Sequence, residues 1–175
     1  MLYEVSVEKV WDRASKDQEG LENYFNAHKE KYKWEQPYAK GVLIQVITDS
    51  IGSLIKEEVN GMSPEEVAAF VKNRYSGKAI AEKFLVPKGV NAMVDNVMFG
   101  GKQAKPKNKM YKSFIIVDGR LLQSPEEMSD VRGAVTSDYQ EQLEAEWVSE
   151  LKRKYPVSLN KKEFNKLKKT LEKEK

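Results

Sequence analysis

The sequence predicts an α+β fold, with a small mixed sheet under covering helices and a helical module made of two N-terminal helices and one long C-terminal helix. Three observations carry this. A short β-branched run, GVLIQVI at 41–47, is bounded by Gly41 and Asp49 and has the length of a mostly buried strand. The stretch 132–155, RGAVTSDYQEQLEAEWVSELKRKY, is the longest uninterrupted helical signal in the chain. Between positions 11 and 38 the rings of Trp11, Tyr24, Phe25, Tyr32, Trp34 and Tyr38 are too dense for a helical hairpin left alone in water. The expected organisation is a helical hairpin at 1–37, an α+β domain at 38–123, a long helix at 124–158 that packs back on 1–37, and a basic tail at 159–175.

Taken in order, Ser6 can cap a short helix in which Val7, Val10, Trp11 and Ala14 share a face. Asp17 caps the next, whose apolar side carries Leu21, Tyr24, Phe25, His28 and Tyr32 before the break at Pro37. After the 41–47 strand, Ile51, Leu54, Ile55 and Val59 recur at helical spacing and stop at Asn60-Gly61. Ser63-Pro64-Glu65-Glu66 then supplies a cap, a proline at the first helical position and a capping-box glutamate. Three further stretches read as strands: AIAEKFLVP, NAMVDNVMF, and KSFIIVDGRLL with Asp118-Gly119 as a turn. GGKQAKPKNK between the last two reads as an exposed loop. A second SPEE at 124–127, where the long helix is expected to begin, repeats the signal of 63–66.

In the long helix, Val135, Tyr139, Leu143, Trp147, Leu151 and Tyr155 recur at every fourth residue. Each step overshoots a helical turn by about 40°, so the stripe winds and its two halves should meet different partners. Lys152, Arg153 and Lys154 suit the negative end of the helix dipole, and Pro156 closes it.

Composition excludes several classes. At 175 residues, with 40% hydrophobic and 33% charged, the chain can bury one real core or two small ones. Without cysteine there is no disulfide, thiol nucleophile or thiolate metal site. The net charge of +3 is more than accounted for by seven lysines against three glutamates in the tail, so the rest is near neutral and no nucleic-acid partner is expected. No stretch reaches the roughly 18 apolar residues of a membrane span, and MLYEVSVEKVWDR lacks the basic start and apolar core of a secretion signal.

The phrases WDRASKDQEGLENYFNAHKEKYKW and RGAVTSDYQEQLEAEWVSELKRKYPVSLN, with the strand-helix-helix-sheet unit between them, resemble the C-terminal part of the parvulin-type peptidyl-prolyl isomerases related to the periplasmic chaperone SurA, in the form common among Bacteroidetes. The resemblance covers roughly residues 5–160. It implies a degenerate parvulin-like domain at 38–123 and a folding factor of the periplasm or cell envelope that handles unfolded or extended polypeptide clients. It also implies an upstream half carrying the leader.

Prolyl isomerisation faces an amide-resonance barrier of about 18–20 kcal/mol, which a dry proline pocket and polar groups favouring the twisted amide can lower without a nucleophile. Members of the resembled family use a pair of histidines with a cysteine or aspartate. This chain has one histidine, His28, on the aromatic N-terminal helix before the first strand, where it reads as a packed or capping residue. No catalytic residue is therefore assigned, and an active isomerase with an atypical site is the alternative. Met93, Met98, Phe99 and Met110 are the candidate substrate-binding residues, since methionines adapt to varied apolar ligands; core packing is the competing reading. Asp95 beside them is a candidate polar site residue, with a turn or solvent-facing place as the favoured reading. Gly100-Gly101-Lys102 lacks the spacing of a phosphate loop, and no run has the acidic alternation of a calcium loop, so no metal or cofactor is expected. The Lys-rich tail reads as a solvated helix face, with contact to an anionic membrane or an acidic partner as its functional alternative. A third class of function, a non-catalytic interaction module, stays open.

Overall fold

A computed structural model of the chain describes residues 10–173, so the proposed cap at Ser6 and the contact of Val7 lie outside the described residues. The fold is α+β. In chain order the elements are α1 (Asp12–Lys16), α2 (Gln18–Ala27), a 3-10 turn (Lys29–Tyr32), β1 (Tyr38–Val46), α3 (Asp49–Glu58), α4 (Pro64–Arg74), β2 (Ala79–Pro87), α5 (Ala92–Met98), β3 (Ser113–Leu122), a second 3-10 turn (Met128–Val131), α6 (Arg132–Lys154) and α7 (Lys161–Lys173). They form two compact units, one from the two ends of the chain and one from residues 27–131. Tyr32 and Trp34 thus go with the sheet unit, where Trp34 stacks on Tyr38 at 4.2 Å between ring centroids. Residues 124–131 go there as well.

In the unit built from the chain ends, the first turns of α6 lie on α1 and α2. Val135, Tyr139 and Leu143 are buried, as are Ala14, Leu21, Tyr24 and Phe25. Tyr24 meets Tyr139 ring to ring at 5.8 Å and a 50° tilt. Asp17 caps α2 by accepting the Gly20 N–H at 2.8 Å and receives the Tyr139 hydroxyl at 2.8 Å. The expected second partner for the winding stripe is not found among the described residues: Trp147 is half-buried, while Leu151 and Tyr155 are exposed. A stripe that rotates leaves the surface it started on, and nothing follows it round.

The sheet unit is built on β1, the central strand in the order β2-β1-β3. Both pairings are antiparallel, which corrects the expectation of a mixed sheet. The cause is the pair of helices between β1 and β2. Two helices in succession return the chain to the end it left, so the next strand runs back. Val42, Ile44 and Val46 face Ile55 and Val59 of the α3 turn, Val67 and Val71 of α4, and Ala79 of β2, all buried. Thr48 caps α3 and Gly61 ends it with φ 82°. The capping box at Ser63 forms in full, with Ser63 Oγ and the Glu66 carboxylate each receiving the other's backbone N–H.

Three local expectations change. NAMVDNVMF is not a strand: Asn91 Oδ1 accepts the N–H groups of Met93 and Val94 at 3.0 and 3.4 Å and opens α5 instead. Met93 and Val97 fit one face of a helix as well as they fit a strand, and the cap decides between them. Asp118-Gly119 is not a turn but a bulge inside β3. Lys40 pairs with Arg120 and Val42 with Val117, so two residues stand opposite Gly41, and Asp118 takes φ 51°. The second SPEE opens no α-helix. Glu126 and Glu127 give their N–H groups to Asp130 Oδ2 at 3.0 and 3.3 Å, which winds a 3-10 turn before α6.

Candidate functional site

Residues paired across an antiparallel ladder share a side of the sheet. One side is the core described above. On the other, Leu43 stands with Glu82 and Ile116, Gln45 with Ile80 and Phe114, and Gly41 with Phe84. Here Ala39, Leu43 and the small Gly41 are fully buried, while Phe84, Phe114 and Ile116 are half-buried and Ile80 is exposed. The cover on this side is the seven-residue α5, anchored by the buried Val94. A helix that short leaves part of a three-stranded face open.

The structure places the four sequence-predicted residues unevenly. Met98 lies on the bulge of β3: a Cβ built on Gly119 would fall 2.9 Å from Met98 Sδ and 2.7 Å from Ile116 Cγ2. Glycine at 119 is what lets the thioether approach. Gly41 plays the matching part on β1, where an added Cβ would meet the bulge backbone at 3.1 Å. Met93 sits one and a half turns earlier on α5, at a cleft of about 480 Å³ with Gln45, Val90, Lys105 and Lys107. Phe99 ends α5 and is half-buried. Met110 is not brought to the helix: it lies in the 100–112 loop, 50% exposed, with its N–H on Asn108 Oδ1 at 3.0 Å. Sequence reasoning missed Phe84, Phe114, Ile116 and Gln45. Their common side follows only from the register, although the alternation of Phe114 and Ile116 was there to be read.

His28 is half-buried at the start of the first 3-10 turn, where its carbonyl accepts the Lys31 N–H at 2.9 Å. Asp95, read as a turn or surface residue, is half-buried and accepts the Gly89 N–H with both oxygens, at 3.0 and 3.1 Å.

A second cleft, of about 600 Å³, lies on the core side beyond the N-terminus of α4. Its centre is Lys40, whose ammonium is 2.6 Å from both Glu127 Oε1 and Asp130 Oδ1. Arg120 meets Glu126 at 2.8 Å and Lys83 meets Glu65 at 2.5 Å. Burial alone would lower the Lys40 pKa, but the hydrogen bonds to Asp130 and Glu127 outweigh it and hold the pKa above the ordinary lysine range. An amine held protonated in this way is neither base nor nucleophile. Its work is mechanical, tying the 124–131 segment to β1.

No protein-family model, curated protein or solved structure matches the chain.

Among the described residues no group of three or more histidine and acidic side chains is arranged to hold a metal ion. The half-covered side of the sheet offers apolar contact, an amide at Gln45 with no hydrogen-bond partner among the described residues, and a cleft flanked by lysines.

Proposed function

We propose that the chain is part of a SurA-like, parvulin-type folding factor of the cell envelope, and that its sheet unit holds unfolded or extended polypeptide segments with little or no prolyl isomerisation. One observation carries the reading: Phe84, Phe114, Ile116, Met93 and Met98 present half-buried apolar surface around a helix too short to close over it. Methionine and phenylalanine at the rim suit clients of varied shape. The lone histidine, half-buried before β1, supports the non-catalytic side of the reading. The α7 helix, with Phe164 and Leu167 exposed among lysines, fits peripheral contact with an anionic membrane or an acidic partner.

Two measurements separate this from an active isomerase and from a simple interaction module. In a protease-coupled proline-peptide assay the chain should leave cis-to-trans conversion near the uncatalysed rate. It should also suppress aggregation of an unfolded client, and Phe84→Asp should weaken that suppression severalfold while circular dichroism stays unchanged. Conversion well above background would establish catalysis and remove the reading's second half. Absence of any suppression would leave only the interaction module.

A further inference from the structure

Between Asn96 and Val117 the sequence has five lysines, at 102, 105, 107, 109 and 112, and no carboxylate. None of the five comes within 4.0 Å of a carboxylate among the described residues. This contrasts with Lys40 and Lys83 of the same unit, each paired. The loop that carries the five is fastened at both ends. Gly101 gives its N–H to the Asp95 carbonyl at 2.8 Å, and Lys112 gives its own to Val46 at 2.9 Å. Pro106, half-buried, stiffens the backbone between Lys105 and Lys107. The two cations thereby line the cleft shared with Met93, Val90 and Gln45.

The chemistry of that cleft is specific. Met93 and Val90, the latter 65% exposed, give an apolar floor. Gln45 is half-buried, and its side-chain amide has no hydrogen-bond partner among the described residues, so it has a donor and an acceptor to offer a peptide group. The one carboxylate in the lining, Asp95, is occupied by the Gly89 N–H. Asp95 keeps its negative charge, but two lysines against one carboxylate leave the lining with a positive surplus that favours an anionic guest.

We propose that this cleft takes acidic residues flanking an apolar stretch of an extended client. The apolar part rests on Met93 and Val90, a backbone amide pairs with Gln45, and a carboxylate lies between Lys105 and Lys107. This rests on the reading of the sheet unit as a polypeptide binder and narrows its substrate class to acid-flanked segments.

The test is fluorescence anisotropy on the full chain with three labelled peptides that share a core of alternating valine and threonine and are flanked by aspartates, serines or lysines. The expected order of affinity is aspartate, serine, lysine, with an advantage of about tenfold for aspartate over serine at low salt that shrinks as salt is raised. Lys105→Gln with Lys107→Gln should bring the aspartate peptide down to the serine level and leave the serine peptide unchanged. Both side chains are exposed and, among the described residues, without a salt-bridge partner, so the fold should not depend on them. Equal binding of all three peptides, or a preference that survives the double substitution, overturns the inference and leaves the polypeptide-binding reading standing. Failure of the serine peptide as well as the aspartate peptide overturns both. If a single-stranded oligonucleotide or a vesicle of anionic lipid binds through the same two lysines more tightly than the aspartate peptide, the loop is a general anion patch and the inference is again overturned.

Discussion

Gly20 has no room for a side chain, because a Cβ there would strike the Tyr139 hydroxyl and the Asp17 carboxylate. Gly20→Ala must therefore break the bond between α2 and α6, although alanine is the better helix former. Of the groups involved, Asp17 is held below the usual carboxyl range first by the Gly20 N–H and then by Tyr139, against burial. Tyr139 is pushed above the usual tyrosine range by burial and by the Asp17 carboxylate. The signs follow. The Asp17 contribution is present above its unfolded pKa of 3.8 and is lost as pH falls through the lower folded value. The Tyr139 contribution is present below 10.0 and is lost as pH rises through the higher folded value. Tyr139→Phe should thus cost about 1 kcal/mol at neutral pH, from one hydrogen bond to a partly solvated carboxylate. Denaturant melts of the two proteins should show that gap narrowing below pH 3.8. A gap independent of pH would mean the bond does not form.

At the scale of an element, the bulge of β3 and the helix α5 depend on each other. Gly119→Ala should cost about 1–3 kcal/mol by overpacking against Ile116 and Met98. Part of that cost should be recovered in Met98→Ala, which empties the space the methyl group needs, so a double-mutant cycle should give a coupling of about 1 kcal/mol. Additive costs would separate Met98 from the bulge. The same region shows where the sequence is readable. The β1 run, the Ser63 capping box and the end of α6 before Pro156 were legible because each is local chemistry within four or five residues. The α5 helix was not, since Met93 and Val97 satisfy both periods, Val94 fits only the helix and Phe99 only the strand, and the Asn91 side chain chooses. For the candidate site, the sequence offered residue types such as Met93 and Met98 but not the neighbours that the sheet register brings beside them. Phe84 and Phe114 join it through pairing with Gly41 and Gln45, and the β1–β3 register contains a bulge that reads as a turn. The Lys40 tie is similarly invisible, because Glu127 and Asp130 are 87 and 90 residues away. Lys40→Met leaves Asp130, with its side chain 4% exposed, without a cation, at a cost of about 1–3 kcal/mol. Because the Lys40 pKa is raised, its contribution persists below 10.5 and fades as pH rises through the folded value. Thermal melts across alkaline pH should show wild type and Lys40→Met converging.

Across the whole molecule, the two units differ in how their chain is supplied. Every member of the core around Val42, Ile44 and Val46 comes from within residues 27–131, as do all the partners of Lys40. The other unit joins segments from opposite ends of the chain and must close residues 27–131 as a loop, at an entropic cost that rises with the effective loop length. A folded insert is a shorter effective loop than an unfolded one. Destabilising the sheet core should therefore loosen both units, whereas destabilising the terminal unit should leave the sheet intact. Hydrogen exchange tests this directly: Ile44→Ala should speed exchange in β1 and also in α6, while Val135→Ala should speed it in α2 and α6 and leave β1 protected. The same asymmetry predicts that residues 27–131 fold alone and, since Met93, Met98 and Phe84 all lie within them, suppress client aggregation as well as the full chain does. A folded but inactive 27–131 fragment would move the client site into the unit formed by the chain ends.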